Sequence, residues 1–256
     1  MDMAMIGMEE LINGLIILGL EQGAHVIVHS SLKSFGHVEG GADTIIDAVL
    51  SAIGTEGTIL TPTNTFEGSV TVFLHTIDNI DLRNAVSRTG IISETLRLRK
   101  EALRSIHPSH PVAAVGKRAK ELLAGHNSGD SPAGVESPYG KVTQLDNGKI
   151  LLMGVTNRNN TCFHTAEEYY TPYIFIGETF VKSVTALDGS VYDVKVKGYC
   201  TGIRRNFTVL DGKMYDTGTM KSCKIGNAVI SLIKAKDLLN LLRLELSKDP
   251  YILLEK

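Results

Sequence analysis

Three short runs rich in Val, Ile, Leu and Met punctuate this chain: residues 25–29 (His-Val-Ile-Val-His), 57–61 (Gly-Thr-Ile-Leu-Thr) and 150–155 (Ile-Leu-Leu-Met-Gly-Val). Each reads as a short buried strand. Between the first two, residues 42–53 carry apolar side chains at helical spacing and stop at Gly54, while Pro62 closes the second strand. Strand–helix–strand alternation of this kind argues for an α/β layer structure.

The rest of the chain extends that pattern. Helices are expected over 8–19, 89–100, 117–124 and 161–170, with an extended stretch at 111–116 and a strand at 149–154. Residues 63–88 lack clear periodicity and read as a long loop, the kind that is functional or mobile in a compact domain. A Gly/Ser/Pro-rich loop spans 125–138. The chain then turns β-rich: segments 174–186 and 191–199 flank Asp188-Gly189, a hairpin signal. A last strand near 225–232 precedes a helix at 234–247. Without a convincing linker, residues 1–256 are expected to form one domain with a β-rich C-terminal part.

Charge narrows the partners. A net charge of -2 with 21% charged residues gives no nucleic-acid footprint and no polybasic membrane patch. The apolar run from Leu11 to Leu20 is broken by Asn13 and Gly14 and is too short to span a bilayer. Cys162, Cys200 and Cys223 form no CxxC pair and no disulfide ladder, so a reducing cytoplasm is the expected compartment.

Four stretches can carry chemistry. In the first, the strand at 25–29 runs into Ser30-Ser31-Leu32-Lys33-Ser34, and Gly40-Gly41 sits just before a helix. Backbone N–H groups at such a turn bind phosphate or pyrophosphate, though the spacing is neither a Walker A motif nor GxGxxG. A hydroxyl-rich structural turn is the plainer alternative. The second is Arg104-Ser105-Ile106-His107-Pro108-Ser109-His110-Pro111. Each histidine precedes a proline, which favours extended backbone, and i and i+3 then point to opposite faces, against a shared metal. Arg104 and Ser105 can hold a phosphate there, or the stretch is a surface loop. The third is Ser137-Pro138-Tyr139-Gly140-Lys141, ordinary helix capping in which Lys141 is either solvated or reaches an anion.

The fourth is Asn-Asn-Thr-Cys-Phe-His-Thr-Ala-Glu-Glu-Tyr-Tyr, residues 159–170. On a helix, His164 shares a face with Glu167 and Glu168. A carboxylate beside an imidazole favours its charged form, which suits a general base. Cys162 is two residues from His164 and does not face it. A metal on His164 and Glu167 needs two further ligands, and none can be nominated. A structural role for a lone histidine near a helix start stays open.

Together these stretches resemble a known family. "VHSSLKSFGHVEGGADTIIDAVLSAIGTEGTILTPT", "RTGIISETLRLRKEALRSIHPSHPVAAVGKRAKELLAGH", "GVESPYGKVTQLDNGKILLMGVTNRNNTCFHTAEEYY" and "IGNAVISLIKAKDLLNLL" are similar to successive blocks of the aminoglycoside 3-N-acetyltransferase family, including its Thr-x-x-His-x-x-Glu pattern. The resemblance implies an α/β/α sandwich of the antibiotic N-acetyltransferase type, unrelated to the common GNAT acetyltransferase fold. It implies acetyl-CoA as cosubstrate, no metal, and an amine acceptor, in the best-known members the 3-amino group of a 2-deoxystreptamine aminoglycoside antibiotic. By the same resemblance His164 is the catalytic base and Glu167 its carboxylate partner. Ser30, Ser31, Leu32, Lys33, Ser34 and Gly41 form the coenzyme cradle, and Arg104, Ser105 and His107 a second coenzyme segment, with Ser137 and Lys141 lining the same site. A polycationic acceptor asks for an acidic cleft, with Glu67 from the long loop and Glu168 as its nearest candidates.

Three alternatives remain at this level. One is an acetyltransferase of the same fold acting on a non-aminoglycoside amine. Another is a serine hydrolase built from Ser30 or Ser31 with His164 and Glu167, although no Gly-x-Ser-x-Gly elbow is present. The third is a non-catalytic coenzyme- or drug-binding protein. Exposed apolar positions in the C-terminal hairpin are compatible with a homodimer.

Overall fold

The computed structural model describes residues 5–255. In chain order its elements are α1 (Met8–Leu18), β1 (His25–Ser30), α2 (Gly41–Ile53), β2 (Thr58–Pro62), α3 (Val70–Thr76), β3 (Asn79–Asp81), α4 (Ile91–Leu98), β4 (Leu103–Arg104), β5 (Val112–Gly116), α5 (Ala119–Leu123), α6 (Pro138–Gln144), β6 (Gly148–Met153), α7 (Phe163–Tyr170), β7 (Phe175–Thr185), β8 (Val191–Tyr199), α8 (Asp211–Asp216), β9 (Met220–Ile225), β10 (Ala228–Lys234) and α9 (Ala235–Lys248). Seven strands form one sheet in the order β4-β5-β2-β1-β6-β10-β9, and β3-β7-β8 form a second. The central strand β1 runs parallel to β2 and β6; the outer pairs of the large sheet are antiparallel.

The central strands are buried on both faces, which is why their sequences read as apolar runs. Along β1, Val26 and Val28 point into one core, with α1, α2 and α4, while Ile27 points into the other, with α5, α6, α7 and α9. On β6, Leu151 and Met153 share the first core, and Ile150 and Leu152 the second. A mostly parallel centre with helices on both faces is the α/β/α sandwich expected from the family resemblance.

The helix capping read at Ser137-Pro138 is present: the loop 125–138 leads into α6, which Ser137 caps by accepting the Gly140 N–H. Three local expectations change. Residues 63–88 are not one long loop: α3 lies within them, and β3 pairs in parallel with β7, Asn79 opposite Ser183. A strand of three residues whose partner is about a hundred positions away leaves no local periodicity. The single strand expected near 225–232 is a two-stranded hairpin, β9 and β10. β9 escapes notice because, as an edge strand, it alternates exposed Lys221 and Lys224 with buried ends. Finally, Arg104-to-His110 is interior rather than a surface loop, and Arg104, Ser105, His107, Ser109 and His110 are all buried.

Arg104 shows how the 63–88 segment is held. Its guanidinium donates to Thr63 Oγ1 at 3.0 Å, Thr63 O at 2.8 Å, Leu82 O at 2.9 Å and Ala85 O at 2.6 Å. Four of its five N–H groups are thus committed within the protein. Hydrogen bonds to a buried charge contribute more than neutral ones. The Arg104→Leu variant is therefore expected to lose about 2–4 kcal/mol of unfolding free energy, read as a lower urea midpoint. An unchanged midpoint would show that the segment is held by something else.

Candidate active site

Helix α7 starts where a chain of side-chain amides ends. Asn157 Nδ2 donates to Asp211 Oδ1 at 2.7 Å, Asn160 Nδ2 donates to Asn157 Oδ1 at 3.0 Å, and Asn160 Oδ1 accepts the Cys162 N–H at 3.1 Å. Asparagine supplies both a donor and an acceptor, so it can relay in this way. Phe163 then enters the core and stacks on Phe207, centroids 4.8 Å apart. A buried phenylalanine is worth about 3–5 kcal/mol on truncation and a helix cap about 1. Packing of Phe163 thus dominates, and the amide relay sets the register.

That register points His164 away from the core. Its ring is stacked on Tyr199 at 5.1 Å and edge-on to Phe207 at 5.2 Å. Its Nδ1 lies 2.5 Å from Glu167 Oε2, and Glu167 Oε1 accepts from Arg205 Nε at 2.7 Å. The Glu167 side chain is 1% exposed and the His164 side chain 16%. Burial alone would raise the Glu167 carboxyl, but the charge and hydrogen bond of His164, then those of Arg205, hold it below the ordinary carboxylate value. An ionised carboxylate at Nδ1 places the imidazole proton there and leaves the Nε2 lone pair free.

His164 opens into a cavity of about 450 Å³ whose walls include Asn64, Phe66, His110, Arg158, Thr161, Tyr199 and Arg205. Asn64 and Thr161 are also walls of a second, more polar cavity of about 330 Å³, which reaches Ser30, Arg88, Thr89 and Ser93. The second cavity sits beyond the C-terminal ends of β1 and β2 and the residue Val155 after β6, the crevice where open α/β sheets bind ligands. Within it the Ser30 hydroxyl and His29 Nε2 are buried with no hydrogen-bond partner among the described residues. Buried polar atoms left unpaired in this way ask for a ligand or water.

The residues singled out in the sequence distribute unevenly around this two-part cleft. Ser30 lines it. Ser31 carries the chain out of β1, its N–H donating to Met153 O, and Leu32 and Lys33 begin a short 3-10 turn. Ser34 donates to Gly154 O at 2.8 Å and clips that turn to the end of β6. Gly154 has φ +71°, and a Cβ there would collide with the Ser34 side chain, so only glycine allows the clip. Gly41 begins α2 with open space around it.

Arg104, Ser105 and His107 lie outside both cavities, and their polar atoms are largely taken by the protein. Ser105 Oγ pairs with His126 Nδ1 and accepts the Val112 N–H, and His107 Nδ1 accepts the N–H groups of Ser109 and His110. They brace the site instead of lining it. Lys141 donates to the carbonyls of Glu121 and Ala124 at the end of α5, and Ser137 caps α6. The segment at 107–110 bends instead of running extended, so the rings of His107 and His110 lie 5.9 Å apart.

Of the two expected acidic residues, Glu168 is corrected. Glu67 lies between the wall residues Phe66 and Gly68, exposed and paired with Arg88 at 3.2 Å. Glu168 turns to the other side of α7, where it accepts from Ser131, from the Ala133 N–H at 3.0 Å and from the Tyr199 hydroxyl. Its role is to hold Tyr199, which in turn stacks on His164. Cys162 lies in the core, its thiol pushed up by burial, and among the described residues His164 makes no hydrogen bond to a serine. No Cys–His or Ser–His pair forms at His164; the Ser–His hydrogen bonds present join Ser105 to His126 and Ser109 to His110, all four residues buried.

Sequence reasoning missed His110, Tyr199 and Arg205. His110 faces the cleft with its pKa pushed down to about 3 by burial and by His164 and His126, so it is neutral. Tyr199 ends β8 and Arg205 follows it, both far from His164 in sequence. The one available signal was that a buried helix carboxylate needs a cation.

His164 thus lines the first cavity with its imidazole oriented by Glu167, and that cavity adjoins the second at Asn64 and Thr161. The profile of the family described as aminoglycoside 3-N-acetyltransferase matches residues 27–246. The chain belongs to this family. It is 34% identical over 172 residues to the aminoglycoside N(3')-acetyltransferase-like protein YokD of Bacillus subtilis, a match covering 61% of this chain and 62% of that protein, less than two thirds of its length. Aminoglycoside N(3)-acetyltransferase IV of Salmonella sp is 29% identical over 255 residues, 96% of this chain and 89% of that one. The fold superimposes on a mutant of aminoglycoside acetyltransferase AAC(3)-IVa in complex with a gentamicin, with TM-score 0.83 and 26% identity, covering 100% of this chain and 94% of the other.

Desolvation pushes the Glu168 carboxyl up from 4.5 to about 8. Between those values the folded protein holds a proton that the unfolded chain has released, so stability is full below pH 4.5 and falls as pH rises towards about 8. The slope is at most about 1.4 kcal/mol per pH unit. Glu168→Gln mimics the protonated acid, keeps acceptors for Ala133 and Tyr199, and should flatten this part of the melting-temperature profile. Equal slopes in both proteins would place the pH dependence elsewhere.

Proposed function

We propose that this chain transfers an acetyl group from acetyl-coenzyme A to a primary amine of a small molecule, with His164 as general base. The observation that carries the reading is the His164–Glu167–Arg205 array on the first cavity, which adjoins the second at Asn64 and Thr161. Family membership and the names of the relatives support it. The polar cavity at Ser30 suits coenzyme A, because its unpaired hydroxyl and the nearby Arg88 offer partners to amide and phosphate groups. Acetyl-coenzyme A supplies, when bound, a thioester already activated toward amines. His164 Nε2 takes the proton that the attacking amine sheds, and Glu167 stabilises the imidazolium that results. Asn64 and Thr161, walls of both cavities, stand where the two ligands meet and can orient them.

Aminoglycosides, the acceptors in the relatives' names, are the reference acceptors for this reaction. A second reading, acetylation of a different amine, is favoured by one observation: among the described residues, no carboxylate lines the His164 cavity. No described helix is long and apolar enough to cross a membrane, and the three cysteines are free; we place the reaction in a reducing cytoplasm, on a single catalytic domain.

Free-thiol release from acetyl-coenzyme A tests the base. His164→Ala should lower kcat by about 10²–10⁴-fold while calorimetry shows coenzyme A binding retained. Glu167→Gln should lose much of the same activity, since the amide no longer fixes the imidazole tautomer. Wild-type turnover in His164→Ala would remove His164 from the mechanism.

A further inference from the structure

We propose that the acceptor is a small primary amine that also carries an anionic group, a carboxylate or a phosphate, and that Arg158 holds this group. The inference rests on the acetyltransferase reading above and specifies its acceptor.

Among the described residues, the cavity in front of His164 has no Asp or Glu in its walls but has two arginines, Arg158 and Arg205. Two of the nearby carboxylates are committed inside the protein. Glu167 lies under the base, between His164 and Arg205. Glu168 is held by Ser131, Ala133 and Tyr199. Glu67, next to the wall residue Phe66, makes only an exposed pair with Arg88, side chains 74% and 50% exposed, and Glu255 pairs with Arg158. A polycation entering here would meet two guanidinium groups in the walls, each shared with one carboxylate, Glu255 or Glu167, that is not itself a wall residue. Like charges placed together oppose binding, and specificity follows from such repulsion as much as from attraction.

The two arginines differ in how far they are spoken for. Arg205 is tied to Glu167 and lies against the Tyr199 ring. Among the described residues Arg158 makes one ion pair, Nη1 to Glu255 at 3.2 Å, with side chains 56% and 36% exposed. An exposed pair of that kind is weak and exchanges readily for another anion. Arg158 sits on the Asn157–Asn159 turn, the same turn that the Asp211–Asn157–Asn160 relay anchors to the start of α7. The base and the guanidinium are thus set by one rigid piece of backbone. A guanidinium fork takes a carboxylate or phosphate with two hydrogen bonds, and an anion held there would leave the amine of the same molecule to His164.

Thiol release with four acceptors tests this: glucosamine, glucosamine 6-phosphate, glucosaminic acid and kanamycin. The anionic amines should exceed glucosamine and kanamycin in kcat/KM by more than about tenfold, and the better of the two identifies the anion as phosphate or carboxylate. Arg158→Gln, a change at an exposed side chain, should raise KM for that amine with little change in kcat and none in KM for acetyl-coenzyme A. Arg158→Glu should raise kcat/KM for kanamycin. Kanamycin saturating the wild type at lower concentration than either anionic amine would overturn the proposal and leave the acetyltransferase reading standing. So would an Arg158→Gln effect confined to the KM of acetyl-coenzyme A, which would assign Arg158 to coenzyme phosphate. Absence of thiol release with every acceptor, in a protein that binds coenzyme A, would defeat the acetyltransferase reading and this inference together.

Discussion

One buried carboxylate organises the site. Glu167 is almost wholly out of water, and a charge in that position survives only if it is paired and hydrogen-bonded. It is shared between His164 on its own helix and Arg205 from the segment after β8. Removing Arg205 leaves the carboxylate without its guanidinium, whereas removing His164 takes away one hydrogen bond and leaves the ion pair. The arrangement decides the tautomer of His164 and draws the 200–205 segment onto α7, which makes the wall of the cleft a consequence of the ion pairing.

The two sheets meet at this point. The large sheet presents the ends of its parallel strands, with Ser30 and Pro62, to one cavity. The small sheet delivers Tyr199 from the end of β8, clamped by Glu168 and stacked on the base. The 63–88 segment joins the two because β3 pairs with β7 while Arg104 grips Thr63, Leu82 and Ala85. Phe66 and Asn64 reach the cleft from that tethered segment. A site at the junction of two sheets has rigid walls and a joint between its cavities, which suits a reaction that must align two separate molecules.

Electrostatics divides the labour among the histidines and carboxylates. His110 is kept neutral by burial while it faces the same cavity as His164. Glu167 and Glu168 are adjacent in sequence yet shifted in opposite directions, Glu167 downward by its cationic partners and Glu168 upward by desolvation. One residue of helix rotation separates a carboxylate that works as an anion from one that works as a neutral clamp. The walls of the cleft that results hold guanidinium groups and, among the described residues, no carboxylate.

Much of this was legible in the chain. Apolar runs at 25–29, 57–61 and 150–155 are enough to specify buried strands, and the i, i+3 spacing of His164 and Glu167 places imidazole and carboxylate on one helix face, because both depend only on local periodicity. The hairpin around Asp188-Gly189 follows from turn chemistry for the same reason. Other features depend on partners remote in sequence. β3 exists through β7, and Arg104 reads as a phosphate ligand until its carbonyl partners are known. Glu168 reads as a substrate carboxylate until Ser131, Ala133 and Tyr199 enclose it. Arg205 acquires meaning only beside Glu167. Sequence by itself determined the layers and the pairing of His164 with Glu167, because those rest on short-range spacing. Tertiary structure alone decided which charges are spent inside the protein and which face the cleft, because burial and ion pairing are set by residues that meet only when the two sheets come together.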